Sequence, residues 1–276
     1  MREGEDWHGA VTRTEYVTAD VPWQESLLQD SWLSWAAVRS YPRGVTDTSW
    51  AKTPVVPGVP IRTGVLSTRD GDQLHIRLSG FTDADPTHFS DVPQWWFQGG
   101  TTTLSRNGDP IGPCLDFYVL NCDVTVPDGA ATYTLAADDP APVFTDAVQS
   151  SKTRWTFHSQ PGEDVLPLID LDYDMAVSRT DTVPAGAGAT MQLGVTRQPG
   201  SSGGGLQAPT VQVSYDGGVT WQSARVTPHG PGRYDISYRV PDVAATNGFV
   251  ALRASAGDAA GNSVVQEITR AYRLVG

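Results

Sequence analysis

Short alternating stretches, each ended by a turn signal, recur along most of this chain, and they constrain its fold more than any other feature. In GDQLHIRLSGF, Leu74, Ile76 and Leu78 fall on one face and His75, Arg77 and Ser79 on the other. VPDGAATYTLAAD opens on a turn at Asp128-Gly129. Tyr133, Leu135 and Ala137 then alternate with Thr132, Thr134 and Ala136. TTTLSRNGDPIG carries Asn107-Gly108, a dipeptide suited to a two-residue hairpin. A period of two belongs to strands with one buried face, because successive side chains point to opposite sides. KTRWTFHSQ is one more such strand. Further along come VLPLIDLDYDMAV, ATMQLGVTRQPG, APTVQVSYDGGVTW, GRYDISYRVP, GFVALRASAGDAAG and SVVQEITRAYRL. Strands of this length between such turns imply an all-β, antiparallel sandwich architecture.

The length of 276 residues suits two β-rich units, with one large sandwich as the other reading. The register restarts near Gln160-Pro161-Gly162-Glu163-Asp164. The expectation is therefore a jelly-roll-like β-sandwich over 1–160, followed by an immunoglobulin-like or fibronectin type III-like β-sandwich over 161–276. The first unit has a Trp-rich leading segment. Within it RTEYVTADVPW alternates like a strand, and QESLLQDSWLSWAAV has room for one short helix. The Pro and Gly spacing of YPRGVTDTSWAKTPVVPGVP favours an irregular, extended crossing. QPGSSGGGLQAP reads as a loop between strands.

Charge narrows the partners. Asp and Glu number 31 against 19 Lys and Arg, a formal net charge of -12, and there is no basic run. A nucleic-acid backbone and an anionic membrane surface are therefore not expected partners. No membrane span is visible in the sequence either. The two cysteines, Cys114 and Cys122, lack Cys-x-x-Cys spacing and a neighbouring His cluster, which argues against structural zinc. A disulfide closing the short loop between them suits an oxidising compartment, and two buried thiols are the other reading.

Catalytic machinery is hard to assemble. None of the five histidines lies in an HExxH motif, and no serine sits in a GxSxG elbow. The acidic groups come closest to a site. Asp170, Asp172 and Asp174 alternate onto one strand face. They can ligate calcium if a loop closes over them, or form a solvated or salt-bridged face. FTDADPTHFSD, with Asp83 and Asp85, has the composition of a calcium loop without EF-hand spacing. No other cofactor is implied. Ser214, Asp216, Gly218, Thr220 and Trp221 fit the Asp-box pattern SxDxGxTW. Its physics is local: the carboxylate accepts backbone N–H bonds across the turn while the indole packs beneath. Trp95 and Trp96 are either core or a platform for sugar rings. Trp7, Trp23, Trp32 and Trp35 suggest packing against this protein or a partner.

These pieces, in this order, resemble the region C-terminal to the catalytic domain in large secreted subtilisin-like serine peptidases of Streptomyces and its relatives. RTEYVTADVPW is similar to the first strand after the peptidase domain. GDQLHIRLSGFTDAD, TTTLSRNGDPIG and ATYTLAAD resemble its first β domain. TRWTFHS and LPLIDLDYDM resemble the junction. VQVSYDGGVTW and FVALRASAGDAAGNSVVQEITRAYRL resemble the last domain. The Asp, His and Ser motifs of the protease triad are absent, so no catalytic residue carries over. The resemblance implies a secreted, non-catalytic accessory region. Its partner would be a protein, either a subtilisin-like catalytic domain or that enzyme's substrate. A carbohydrate-binding or adhesive module is the alternative.

Overall fold

The computed structural model describes residues 14–29, 32–50, 52–91, 101–114, 121–139, 150–178 and 180–276. The fold is all-β and of sandwich type. The only helical turns among the described residues are two short 3-10 segments, Ile61–Thr63 and Val243–Ala245.

One large sheet organises the molecule. Its strands run in the order Asp109–Pro113, Thr101–Arg106, Ala131–Asp139, Ser150–Ser159, Ser263–Val275, Phe249–Gly257, Thr210–Ser214 and Gln222–Ser223. All neighbours on this path are antiparallel. Thr182–Pro184 adds in parallel to the far end of Ser263–Val275. A second sheet holds Ile169–Met175, Gly188–Arg197, Arg233–Arg239 and Arg225–Gly230. Three strands, Asn121–Thr125, Gln73–Arg77 and Thr68–Asp70, form a third.

The alternation in the sequence accounts for the core. Leu74 and Ile76 are fully buried on their strand, as are Tyr133 and Leu135 on theirs. Trp155 and Phe157 alternate with Arg154, Thr156 and His158, so the large rings enter the core and the polar side chains face away. The Trp155 indole donates to the Ile169 carbonyl at 2.9 Å, which joins the large sheet to the second one through an otherwise apolar layer. Burying a Trp without a partner for its N–H would be costly, and this bond removes that cost.

The expected division at residue 160 falls at the end of a strand, but the large sheet continues across it. Ser150 to Thr156 pair with Thr269 to Ser263 in unbroken register. Apolar side chains from both sides of residue 160 belong to one buried cluster. Just beyond, Gln198 fastens the passage between the sheets. It is 1 % exposed; its side-chain oxygen accepts from Ser67 N at 2.8 Å and its amide donates to Leu166 O at 2.7 Å.

Three local expectations are corrected. QESLLQDSWLSWAAV forms two strands, Ser26–Gln29 and Trp32–Ala36, paired from Ser26–Trp35 to Gln29–Trp32. The second strand also pairs with His88–Asp91, so tertiary pairing overrides a helix pattern that a segment this short supports only weakly. RTEYVTADVPW is not a strand over its described residues except at Pro22–Trp23, and Tyr16 is 96 % exposed. Without a neighbour to pair with, alternation alone does not make a strand. Ser79 is buried rather than outward, because the Gln73–Arg77 strand ends first. Ser79–Thr82 then pairs with Val56–Gly58 in another small sheet.

The crossing at 41–60 is irregular, as expected, and its last part is a buried strap. Residues Thr53 to Pro60 are all buried. Gln266 donates to Pro57 O at 3.1 Å, and Thr53 Oγ1 donates to Ala271 O. The strap thus ties the leading segment to the middle of the large sheet.

Candidate functional site

Buried polar groups gather where the strap, the 82–88 loop and the Ile169–Met175 strand approach one another. In the loop, Asp83 accepts from Asp85 N at 2.8 Å. Asp85 in turn accepts from Thr87 N at 2.9 Å and Thr87 Oγ1 at 2.7 Å. Short Asp side chains make such turns by replacing backbone hydrogen bonds. The tightened loop delivers His88 inward, with its side chain 1 % exposed. Its Nδ1 lies 3.0 Å from both carboxylate oxygens of Asp83. The Trp50 ring stacks on the imidazole, centroids 3.9 Å apart and planes within 7°.

This Asp–His pair fixes the imidazole as a catalytic dyad would, but among the described residues it faces no reacting group. His88 Nε2 is buried without a hydrogen-bond partner there, so no described hydroxyl or thiol stands within reach of it. Asp85 Oδ2 is 3.6 Å away, too long for a hydrogen bond, and Arg39 lies 3.7 Å from the same oxygen. Burial pushes the Asp85 carboxyl up, but the Thr87 bonds and the nearby His88 and Arg39 hold it below the usual range. Arg39 also reaches Glu25 at 3.1 Å and donates to Tyr41 Oη at 2.6 Å.

The three aspartates of LIDLDYDM do share one face, but in unlike surroundings. Asp170 is buried, and its Oδ1 accepts from Val59 N of the strap at 2.9 Å. Burial, and next the charge of Asp172, push its carboxyl up to about 8. Asp172 is raised too, by burial, against the pull of Arg62 and Arg233. It stands opposite Gly194, where a Cβ would come within 3.1 Å of Oδ2, so a glycine is what admits the carboxylate. Asp174 is exposed and paired with Lys52 at 2.6 Å. The strap that closes over this face therefore brings donors, an N–H and an ammonium, rather than further ligands. Among the described residues, no three His, Cys, Asp or Glu side chains converge as a metal-binding group. The strap links the two acidic clusters, since Val56 pairs with Thr82 beside Asp83 and Val59 N bonds to Asp170, a connection that no local pattern in the chain announces.

The other expected residues are placed as follows. Cys114 and Cys122 form a disulfide. In the Asp-box, Ser214 Oγ donates to Asp216 at 2.7 Å, and Asp216 accepts from Val219 N and Thr220 N at 3.0 Å. Bonds from Thr220 and Ser214 hold the Asp216 carboxyl well below the usual range. Gly218 has φ +94 and accepts through its carbonyl from the Trp221 indole at 2.9 Å. Arg253 lies over that indole, 4.1 Å from the ring centroid. The motif is a local staple.

Trp23 is 37 % exposed, its indole donating to Thr18 O at 3.0 Å, and Trp35 is half-buried. Trp32 lies in its strand, but its side chain is outside the described residues, as are Trp7, Trp95 and Trp96. Tyr16, Val17, Val21, Trp23, Val38 and Val45 are all exposed, with Tyr16 at 96 % and Val45 at 94 %. The remaining exposed large apolar residues are spread singly from Val65 to Val275. Sequence reading missed His88 and Trp50. The available signal was a His five residues after Asp83, across an Asp-Pro turn.

No protein-family model matches this chain, and no curated protein matches it.

Proposed function

We propose that the chain is a non-catalytic accessory and protein-interaction region of a secreted subtilisin-like serine protease. The observation that carries the interaction role is the run of exposed apolar residues between Tyr16 and Val45. Isolated exposed valines are ordinary, but six large apolar side chains within thirty residues mark a surface that a protein partner covers. The assignment to that protease class rests on the sequence resemblance. The Cys114–Cys122 bridge is compatible with an extracellular setting. The Asp83–His88 pair serves this role as an internal lock that holds the loop closed beneath Trp50, and no cofactor is required.

Hydrogen exchange of residues 14–45, with and without an added subtilisin-like catalytic domain, tests the proposal. Protection in that segment is expected, and its loss in a Tyr16→Ser/Trp23→Ser/Val38→Ser variant. An unchanged exchange pattern would overturn the proposal. Retention on an insoluble polysaccharide would then favour the carbohydrate-binding alternative.

A further inference from the structure

Asp170 and Met175 mark opposite ends of one strand, about 16 Å apart at the usual rise. At the Met175 end an open cleft of about 190 Å³ is lined by Met175, Val177, Val183, Pro184, Ala189 and Tyr238, with Tyr272 beside it. No charged side chain of the described residues contributes to the lining. An apolar cavity of about 150 Å³ accommodates benzene, so this one has room for a single ring with a small substituent.

Its polar feature is a pair of hydroxyls. Tyr238 Oη and Tyr272 Oη are 2.6 Å apart. Two O–H hydrogens meet there, and the bond between them uses one. Among the described residues no further acceptor engages either oxygen. Either hydroxyl can be the donor; with Tyr272, which is 1 % exposed, donating to Tyr238, the hydrogen left over is on the less enclosed residue. Tyr238 is half-buried at the cleft, and in that arrangement its O–H has no acceptor among the described residues.

We propose that this cleft binds a small neutral molecule, one aromatic ring or short branched chain carrying a carbonyl oxygen that accepts the Tyr238 hydrogen bond. A carboxylate is disfavoured, because among the described residues of the lining it would lose water without meeting a cation. The site is separate from the 16–45 surface, so the proposal stands or falls independently of the accessory role.

Acetophenone is the probe, toluene the control without an acceptor, and benzoate the charged control, each titrated by isothermal calorimetry. Acetophenone is expected to bind about five- to tenfold more tightly than toluene, and benzoate not to bind. The Tyr238→Phe/Tyr272→Phe variant removes both hydroxyls while keeping both rings, and should bring acetophenone to the level of toluene. Equal affinities for acetophenone and toluene, no acetophenone binding, or a preference for acetophenone that survives in the folded Tyr238→Phe/Tyr272→Phe variant would each overturn the proposal.

Discussion

Replacing Asp170 with Asn should make the protein markedly less sensitive to rising pH. In the folded protein the Asp170 carboxyl keeps its proton up to about pH 8. In an unfolded chain an Asp loses it near pH 4. Between those values the folded state binds more protons than the unfolded state. The stabilisation is complete below about pH 4 and is lost as pH rises through about 8. A difference of one proton changes stability by about 1.4 kcal/mol per pH unit, so pH 5 to 7 removes roughly 3 kcal/mol through this group. The amide of the variant would still offer an oxygen to Val59 N but would carry no titrating proton. Urea unfolding followed by tryptophan fluorescence at pH 5, 6 and 7, at fixed ionic strength, measures both proteins. The rest of the acidic chain is common to both proteins, so the difference between the two slopes reports Asp170 together with its effect on the neighbouring Asp172. Parallel slopes would refute the reasoning, because they would mean that Asp170 is already ionised when folded.

Four other perturbations test the structure. Trp221→Ala should lower stability by about 2 kcal/mol in chemical denaturation, the loss of a half-covered ring and its Arg253 contact, while leaving any ligand site intact. Cys114→Ser/Cys122→Ser should cost roughly 2–3 kcal/mol by the same measurement, from the loop that the bridge closes. His88→Leu should cost about 3 kcal/mol, because the buried Asp83 carboxylate loses its imidazole partner. An unchanged urea midpoint would show that the pair contributes nothing. Gln198→Ala should cost about 3 kcal/mol and speed hydrogen exchange at Ser67, whose N–H it leaves without its acceptor.

Where structure follows from neighbours in sequence, it was legible. The hairpin at Asn107-Gly108 forms, with Arg106 opposite Asp109, because the turn chemistry sets its own register. The faces of 73–77 and 131–139 are as expected because a period of two fixes them regardless of what they pack against. The Asp-box is correct for the same reason: every bond in it spans four residues or fewer. Non-local pairing was not legible. Nothing in KTRWTFHSQ announces that it will lie beside SVVQEITRAYRL, more than a hundred residues on. The acidic face of 169–175 shows the same limit. Alternation put Asp170, Asp172 and Asp174 together, but only the strap decides that Asp170 is enclosed while Asp174 remains in water. His88 is inward because Trp50 and Asp83 receive it; the Asp83 contact is local, but the Trp50 stack joins segments whose proximity the sequence does not encode locally.

The order in which the chain is made runs against the order in which its large sheet is assembled. Ser263–Val275 is synthesised after both of its neighbours, yet it lies between Ser150–Ser159 and Phe249–Gly257, not at an edge. As the polypeptide emerges, the Ser150–Ser159 strand must wait with one row of N–H and C=O groups unmatched until more than a hundred further residues have followed. A chain interrupted before residue 263 is therefore left with two open rims in the middle of its sheet, each able to recruit a stray strand. Anything that shields those rims during synthesis would raise the yield of folded protein without changing the stability of the finished molecule.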